Sequence, residues 1–595
     1  MIKGGKKMNN YQWIWQYSKD RKKTIFLGII LLVTSSLLMI ANPLIIGQLI
    51  DRVIGAGETE KLIPLLMWMI GLTVLRTVFR YAYQITFETI GQHTVFGVRQ
   101  HLFQKLQLLD FDFFNRTRVG DIMARMTGDI EAIRHFVCWV TYNIVESVFW
   151  FVMAIVVMAW INPVLMLSLV AVTPVIYYLT RQMSAEAHPV FLEIRQSFSK
   201  LNSLVEENIS GNRVVKAFSR EDFEIEKFNE ANEAFKQKNL ASARVSMKYL
   251  PWLDGLAGSL TLITLLVGVF LVIRGQMTVG DLVAFNGYLW MLNMPMRMSG
   301  WLINDTQRFN ASCVKIREML EVKPSITAEK HIEKHPLQGH IVFEDVTFHF
   351  SDDPDTPILS NVSFEALPGQ TIGILGETGS GKTTLVNLIA RFYDPSHGRV
   401  LIDGKDAREW PVRQLRENIA MVMQDVFLFS STIEENITYG APELSDERIR
   451  HVAEIADANH FIEQMPEGYR TIVGERGVGL SGGQKQRLSL ARALAKDPAV
   501  LILDDTTSAV DMQTESKIQA ELTKLTKRTT TFVIAHRISS VRDADTILVL
   551  EKGRVVEQGT HQALVERGGR YFEIYQTQLG QSSQEGGNYN GTQYL

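Results

Sequence analysis

The sequence predicts two fold classes in one chain. An all-α membrane domain of six transmembrane helices with long cytoplasmic extensions is fused to a soluble α/β P-loop domain. Three observations carry this. Long apolar runs crowd the first half, although hydrophobic residues make up only 46% of the 595. The second half alternates short apolar strands with helical patterns, as a parallel sheet requires. The segment GETGSGKTT (376–384) fits the phosphate-binding pattern G-x-x-x-x-G-K-[ST], with a strand pattern before it and a helical pattern after it.

The membrane domain is expected over 1–320. Its first apolar run, 24–50, is long enough to span a bilayer with tilt. Lys3, Lys6, Lys7, Arg21, Lys22 and Lys23 precede it and place the N-terminus in the cytoplasm. Further spans are expected at 62–83, 136–161, 164–179, 253–273 and 282–303. Six crossings return the chain to the cytoplasm. Outside loops are tiny, whereas the inside connections, 84–135 and 181–250, are long, charged and helical in pattern. They read as rods continuing from the spans, because Pro/Gly breaks are lacking. The segments 111–134 and 203–221 carry Gly and charge between helical patterns. They are either solvated loops or turns at rod tips, where a soluble motor could push.

Charges inside the spans are few and include Arg76, Arg80, Glu146 and Asp254. Such groups face a cavity or a partner far more often than lipid. Glu146 has Trp139, Tyr142, Phe149 and Trp150 near it in sequence. Two readings stay open: an ion pair with Arg76 or Arg80, or a site for a lipophilic cation. Cys138 and Cys313 are the only cysteines and have no metal-ligand spacing, so both read as packing residues. A net charge of -3 gives no sign of a nucleic-acid binder.

A charged, Pro-containing linker (321–339) leads to the soluble domain (340–580), followed by a polar tail (581–595) expected to be disordered. In the loop 376–384, Gly376, Gly379 and Gly381 keep Cβ atoms out of the way of a phosphate. Glu377, Thr378, Ser380 and Thr384 complete the cradle, whose N–H groups converge at a helix N-terminus. Lys382 is placed to reach β- and γ-phosphates, and the Thr383 hydroxyl to ligate Mg²⁺. Further on, VLILDD (500–505) is an apolar strand ending in two acids, with Asp504 suited to holding the metal. The strand TTTFVIAHR (529–537) brings His536 to its end.

The set GETGSGKT, Gln424 in VMQD, LSGGQ (480–484), LILDD, SAVD (508–511) and His536, behind six spans, closely resembles an ABC exporter half-transporter. The resemblance covers nearly all of 20–580, and LSGGQ between the P-loop and LILDD is its most specific element. It implies an exporter-type (type IV) membrane domain, an ABC nucleotide-binding domain, ATP and Mg²⁺ as cofactors, and a head-to-tail pair of ATP domains. Thr383, Gln424 and Asp504 would surround Mg²⁺ and the attacking water. Leu480, Ser481, Gly482, Gly483 and Gln484 would act on the partner's ATP, and Asp511 would lie at the dimer seam. The segments 111–134 and 203–221 match the position of the family's coupling helices.

Two residues depart from the family pattern. Phe350 stands where a Tyr usually stacks on adenine, and stacking survives. Asp505 stands where a Glu usually polarises the attacking water. Its carboxylate is one methylene short, and a misplacement of about 1 Å can cost on the order of a hundredfold in rate. The site on this P-loop is therefore expected to bind ATP and hydrolyse it weakly. An intact LSGGQ could complete a competent site on a non-identical partner that carries the Glu. That combination resembles the degenerate-site subunit of heterodimeric bacterial multidrug exporters in the plasma membrane. The alternatives are a homodimeric exporter of lipid or peptide cargo, and an ATP-gated channel or sensor subunit.

Overall fold

A computed structural model of the chain describes residues 8–326, 336–506, 512–525 and 528–586. Asp511, the rest of SAVD, and parts of the expected linker and tail lie outside the described residues. The chain divides into two compact units. One comprises Met1–Gln107 and Val119–Val322, the other Leu108–Arg118 and Lys323–Leu595.

The first unit is built of helices far longer than the apolar runs that seed them. Leu62–Leu108 has 47 residues and Glu221–Ile273 has 53. At 1.5 Å per residue these are about 70 and 80 Å long, against a hydrocarbon core of about 30 Å. The excess beyond the apolar stretch is the charged, Gly-poor sequence expected to form rods. Among the described residues, five helical runs are long and apolar enough to cross a bilayer: Asn10–Gly55, Thr59–Leu108, Val119–Ile161, Pro163–Ser210 and Glu221–Ile273. Val279–Glu321, which contains the expected sixth span, is not among them, because Asn286, Asn293 and Arg297 dilute its apolar stretch.

Apolar side chains in this unit point both inward and outward. Leu32, Tyr83, Phe87 and Tyr142 pack together, as do Ile40, Met158, Phe285 and Tyr288. Trp68, Leu266 and Ile273 are exposed, as lipid-facing positions should be. Gly280 is needed for a close helix approach: a Cβ there would lie 2.2 Å from the Gly47 carbonyl oxygen. Its N–H donates to Asp51 Oδ1 at 2.7 Å, so Asp51 helps Thr278 to cap the last helix.

The second unit is a layered α/β domain. An antiparallel sheet has the order β2 (Leu359–Ala366), β1 (Ile341–Phe348), β4 (His397–Ile402), β5 (Lys405–Asp406). The larger sheet has the order β10 (Arg554–Gly559), β9 (Thr546–Glu551), β3 (Thr371–Gly376), β8 (Thr530–Ile534), β7 (Val500–Asp504), β6 (Ile419–Val422). The strands from β9 to β6 are mutually parallel. Their near-continuous apolar stretches are buried on both faces, as parallel strands require.

The C-terminal helix Arg570–Gly586 runs six residues (581–586) into the segment expected to be disordered. Gln581, Gln584 and Glu585 are adequate helix formers, and extending an existing helix needs no new nucleus.

Candidate functional site

The site is assembled by strand register. Asp504 pairs with Ile534, and Ile534 pairs with Ile374, so β3, β7 and β8 end on one edge of the sheet. The P-loop leaves β3 there, Asp505 follows β7 and His536 follows β8. Ligands bind at this carboxyl edge in open α/β sheets.

The loop conformation explains two of its glycines. Gly379 has φ 82° in open space, so only backbone freedom is at stake. Gly381 has φ 98°, and a Cβ there would also lie 2.8 Å from Leu359 and 2.9 Å from the Ile358 carbonyl. Gly381 caps the helix Lys382–Ile389, whose first N–H groups therefore remain free for an acceptor. Ser380 is buried, and its Oγ has no hydrogen-bond partner. A buried hydroxyl without a partner beside a glycine cradle fits a phosphate.

Lys382 is 6% exposed, and its Nζ donates to the carbonyls of Gly376 at 2.8 Å and Glu377 at 2.7 Å. Burial pulls its pKa down, and the negative charges of Asp504 and Asp505 oppose that. Thr383 Oγ1 donates to Asp504 Oδ2 at 2.8 Å. The Asp504 pKa is raised by burial, while the Thr383 hydrogen bond lowers it. A hydroxyl and a carboxylate in contact fit Mg²⁺, which takes few protein ligands and completes its shell with phosphate and water.

Asp505 has φ 50°, a left-handed conformation that Asp tolerates better than most residues. Its N–H donates to the Ile534 carbonyl at 3.1 Å, and its own carbonyl accepts from Gln486 at 3.4 Å. Gln424 and His536 are exposed, beyond the ends of β6 and β8. Phe350 is half-buried and meets Phe348 and Tyr393 edge-on, at 5.1 and 5.5 Å between ring centres. LSGGQ forms the start of the helix Gly482–Leu494. Ser481 accepts from the Gln484 N–H at 3.3 Å, and Gln484 Oε1 from the Ser481 N–H at 2.9 Å. This is a reciprocal cap that leaves Ser481 and Gly482 exposed.

The segment 111–134 divides at a turn. Val119–Ala124 already belongs to the next long helical run. The short helix Phe111–Arg116 instead packs within the ATP-domain unit. Phe111 lies 4.5 Å from the Phe392 ring, Asn115 donates to the Tyr393 hydroxyl at 2.7 Å, and Asp112 accepts from Ser351 at 2.5 Å. Sequence reading missed Phe392 and Tyr393. Their only signal is an adjacent aromatic pair just past the P-loop helix. In 203–221, the short helix Asn212–Ala217 follows the end of Thr173–Ser210, and Val214 and Phe218 are exposed.

Two of the intramembrane charges, Glu146 and Asp254, have polar neighbours. Tyr83 donates to Glu146 Oε1 at 3.3 Å, and Tyr142 packs edge-on against Tyr83. Among the described residues, no ion pair within 4.0 Å joins Glu146 to Arg76 or Arg80. Asp254 pairs with Arg297 at 3.7 Å.

The chain matches the ABC transporter transmembrane region over residues 25–296 and the ABC transporter family over 359–508. It is 37% identical to YknU, an uncharacterized ABC transporter ATP-binding protein of Bacillus subtilis (strain 168). That match covers 96% of this chain and 98% of the relative. It is 35% identical to YheI of the same organism, named a probable multidrug resistance ABC transporter ATP-binding/permease protein, over 94% and 96% of the two chains. Among solved structures, a bacterial Atm1-family ABC exporter with ATP bound superposes with a TM-score of 0.79 at 28% identity. The superposition covers 94% of this chain and 98% of that one. With the glycine cradle, the Thr383–Asp504 pair and LSGGQ behind long apolar helices, these likenesses place the chain in the ABC transporter family, as a multi-pass membrane exporter that carries its own ATP-binding domain.

Proposed function

We propose that the chain is one half of a heterodimeric ATP-driven exporter of lipophilic or amphipathic compounds. In this reading its own ATP site hydrolyses weakly, and the Glu of a non-identical partner does most of the hydrolysis. The observation that carries the proposal is Asp505, the residue after Asp504. The multidrug name of a relative 35% identical supports the cargo class. Val279–Glu321 serves as the sixth crossing, and the N-terminus and ATP domain face the cytoplasm of a cell with this chain in its plasma membrane.

The residues divide the work as follows. The loop 376–384 wraps the phosphates, and Phe350 offers its ring to adenine. Lys382 exchanges its two carbonyl partners for phosphate oxygens, where its charge is better matched. Thr383, Asp504 and Gln424 hold Mg²⁺, which would neutralise phosphate charge. Asp505 and His536 face the γ-phosphate side, and in-line water attack is slow because the Asp505 carboxylate is short. Ser481, Gly482 and Gly483 present the helix N-terminus to ATP on the partner, and Asp511 lies at the seam. Closure of the two ATP domains is passed to the membrane helices through Phe111–Arg116 and Asn212–Ala217.

The test is the composition of the native complex, weighed intact by mass spectrometry after gentle extraction. A one-to-one complex with a different half-transporter supports the proposal. An active dimer of this chain alone makes Asp505 the working carboxylate and overturns it. Within the membrane unit, Glu146 is assigned to cationic cargo, and Arg76, Arg80 and Asp254 to the same pathway. Glu146→Gln should weaken transport of cationic dyes and spare neutral ones, and equal transport of both would remove that assignment.

A further inference from the structure

The C-terminal helix Arg570–Gly586 holds the loop that carries His536. Gln578 on this helix uses both ends of its side-chain amide on that loop. Nε2 donates to the His536 carbonyl at 2.9 Å, and Oε1 accepts from the Ile538 N–H at 2.9 Å. The two bonds bracket Arg537 and fix the peptide groups on both sides of it. Because one end must donate and the other accept, the amide orientation is determined by its partners.

The base of this clamp is fixed. Tyr571 is fully buried, and its hydroxyl lies 2.6 Å from His561 Nδ1. Glu557 accepts from the N–H groups of Arg570 at 3.0 Å and Tyr571 at 2.8 Å, tying the start of the helix to β10. Ile574 and Tyr575 pack on the same apolar cluster as Tyr571. Residues 571, 574, 575 and 578 follow the i, i+3, i+4, i+7 spacing of one helix face. Gln578 therefore sits two turns along a face whose first turn is buried and bonded. The same helix also reaches the P-loop, where Arg570 pairs with Glu377 at 2.5 Å. That pair is solvent-exposed and contributes little energy, so the clamp rests on Gln578.

We infer that Gln578 is a positioning residue for the nucleotide site, acting through the His536 loop, and that the C-terminal helix sets how long ATP is held on this chain. The inference rests on the reading that His536 meets the γ-phosphate of ATP bound to this P-loop.

The test uses the full transporter in lipid nanodiscs. Photolabelling with radioactive 8-azido-ATP followed by a gel reads nucleotide on this chain directly, and a chase with unlabelled ATP gives its rate of loss. Gln578→Ala should speed the loss about fivefold, as expected for removal of two net hydrogen bonds at the weak end of the ordinary range. Gln578→Glu should also speed the loss, since a carboxylate can still accept from the Ile538 N–H but cannot donate to the His536 carbonyl. His536→Ala should also speed the loss, and adding Gln578→Ala to it should change nothing further. A merely structural role would lower the melting temperature and add to the effect of His536→Ala.

If His536→Ala speeds the loss and Gln578→Ala does not, the inference alone is overturned. The same holds if the two effects add. If His536→Ala leaves the rate unchanged, the assignment of His536 falls, and the inference falls with it.

Discussion

Two glycine-containing turns in the same domain both end at a helix N-terminus, yet they are built oppositely. The P-loop is enclosed. Ser380 and Lys382 are buried, Thr383 is bonded to Asp504, and Gly381 is packed so closely that a Cβ would collide. LSGGQ is open. Ser481 and Gln484 satisfy each other, and Ser481 and Gly482 face solvent. An enclosed cradle has its ligand shape built in by this chain alone. An open helix N-terminus with its local hydrogen bonds already made offers an anion contact to something outside the chain. The first turn should therefore fail by losing nucleotide, and the second by losing turnover while nucleotide stays bound.

The largest expected effect is Lys382→Ala. Removing a buried cation from the phosphates should weaken ATP binding to this chain by about a hundredfold or more, read by 8-azido-ATP labelling. Next comes Gly482→Ala. Alanine is the better helix former, so the melting temperature should hold, while an added methyl at the exposed N-terminus should lower ATPase activity by about tenfold. Loss of labelling on this chain by Gly482→Ala would break the contrast.

Phe350→Ala should weaken ATP binding by about tenfold, since one base–aromatic stack is worth about 1–3 kcal/mol. Phe350→Tyr should leave binding unchanged. Gly381→Ala should cost about 1–2 kcal/mol from its left-handed φ alone, and more from the collision with Leu359. Thermal melting distinguishes it from Gly482→Ala.

The smallest effect is on pH. Burial raises the Asp504 pKa, so its carboxyl stays protonated to higher pH than an ordinary Asp. With Asp504 holding Mg²⁺ as proposed, the Mg²⁺ dependence of ATP binding should weaken as pH falls, beginning above the usual Asp range near 3.9. By the same sign, the buried Asp504 charge destabilises the domain at neutral pH, and protonation relieves that cost. Titrating Mg²⁺ against ATP binding from pH 8 to 5 checks the direction.

Much of this was legible in the sequence because the chemistry is local. A phosphate cradle needs glycines, a lysine and a hydroxyl within nine residues, so 376–384 shows it without any fold. Apolar runs announce spans because lipid demands them residue by residue. The expected sixth span is less clear, since Val279–Glu321 mixes Asn and Arg into its apolar stretch and is not among the five runs apolar enough to cross. Segment 111–134 misled in extent: composition alone could not divide the docked helix Phe111–Arg116 from the long helix that follows it.

By itself, then, the sequence determined the two fold classes, the phosphate loop, LSGGQ and the shortened carboxylate at Asp505. These depend on residue type and close spacing. Only the tertiary structure decided which distant groups meet. Strand register set Thr383 against Asp504, 121 positions apart. Packing of the ATP-domain unit brought Asn115 to Tyr393. A helix face anchored by Tyr571 carried Gln578 to the His536 loop. Such contacts follow from how buried surfaces stack, and no short stretch of sequence encodes that alone.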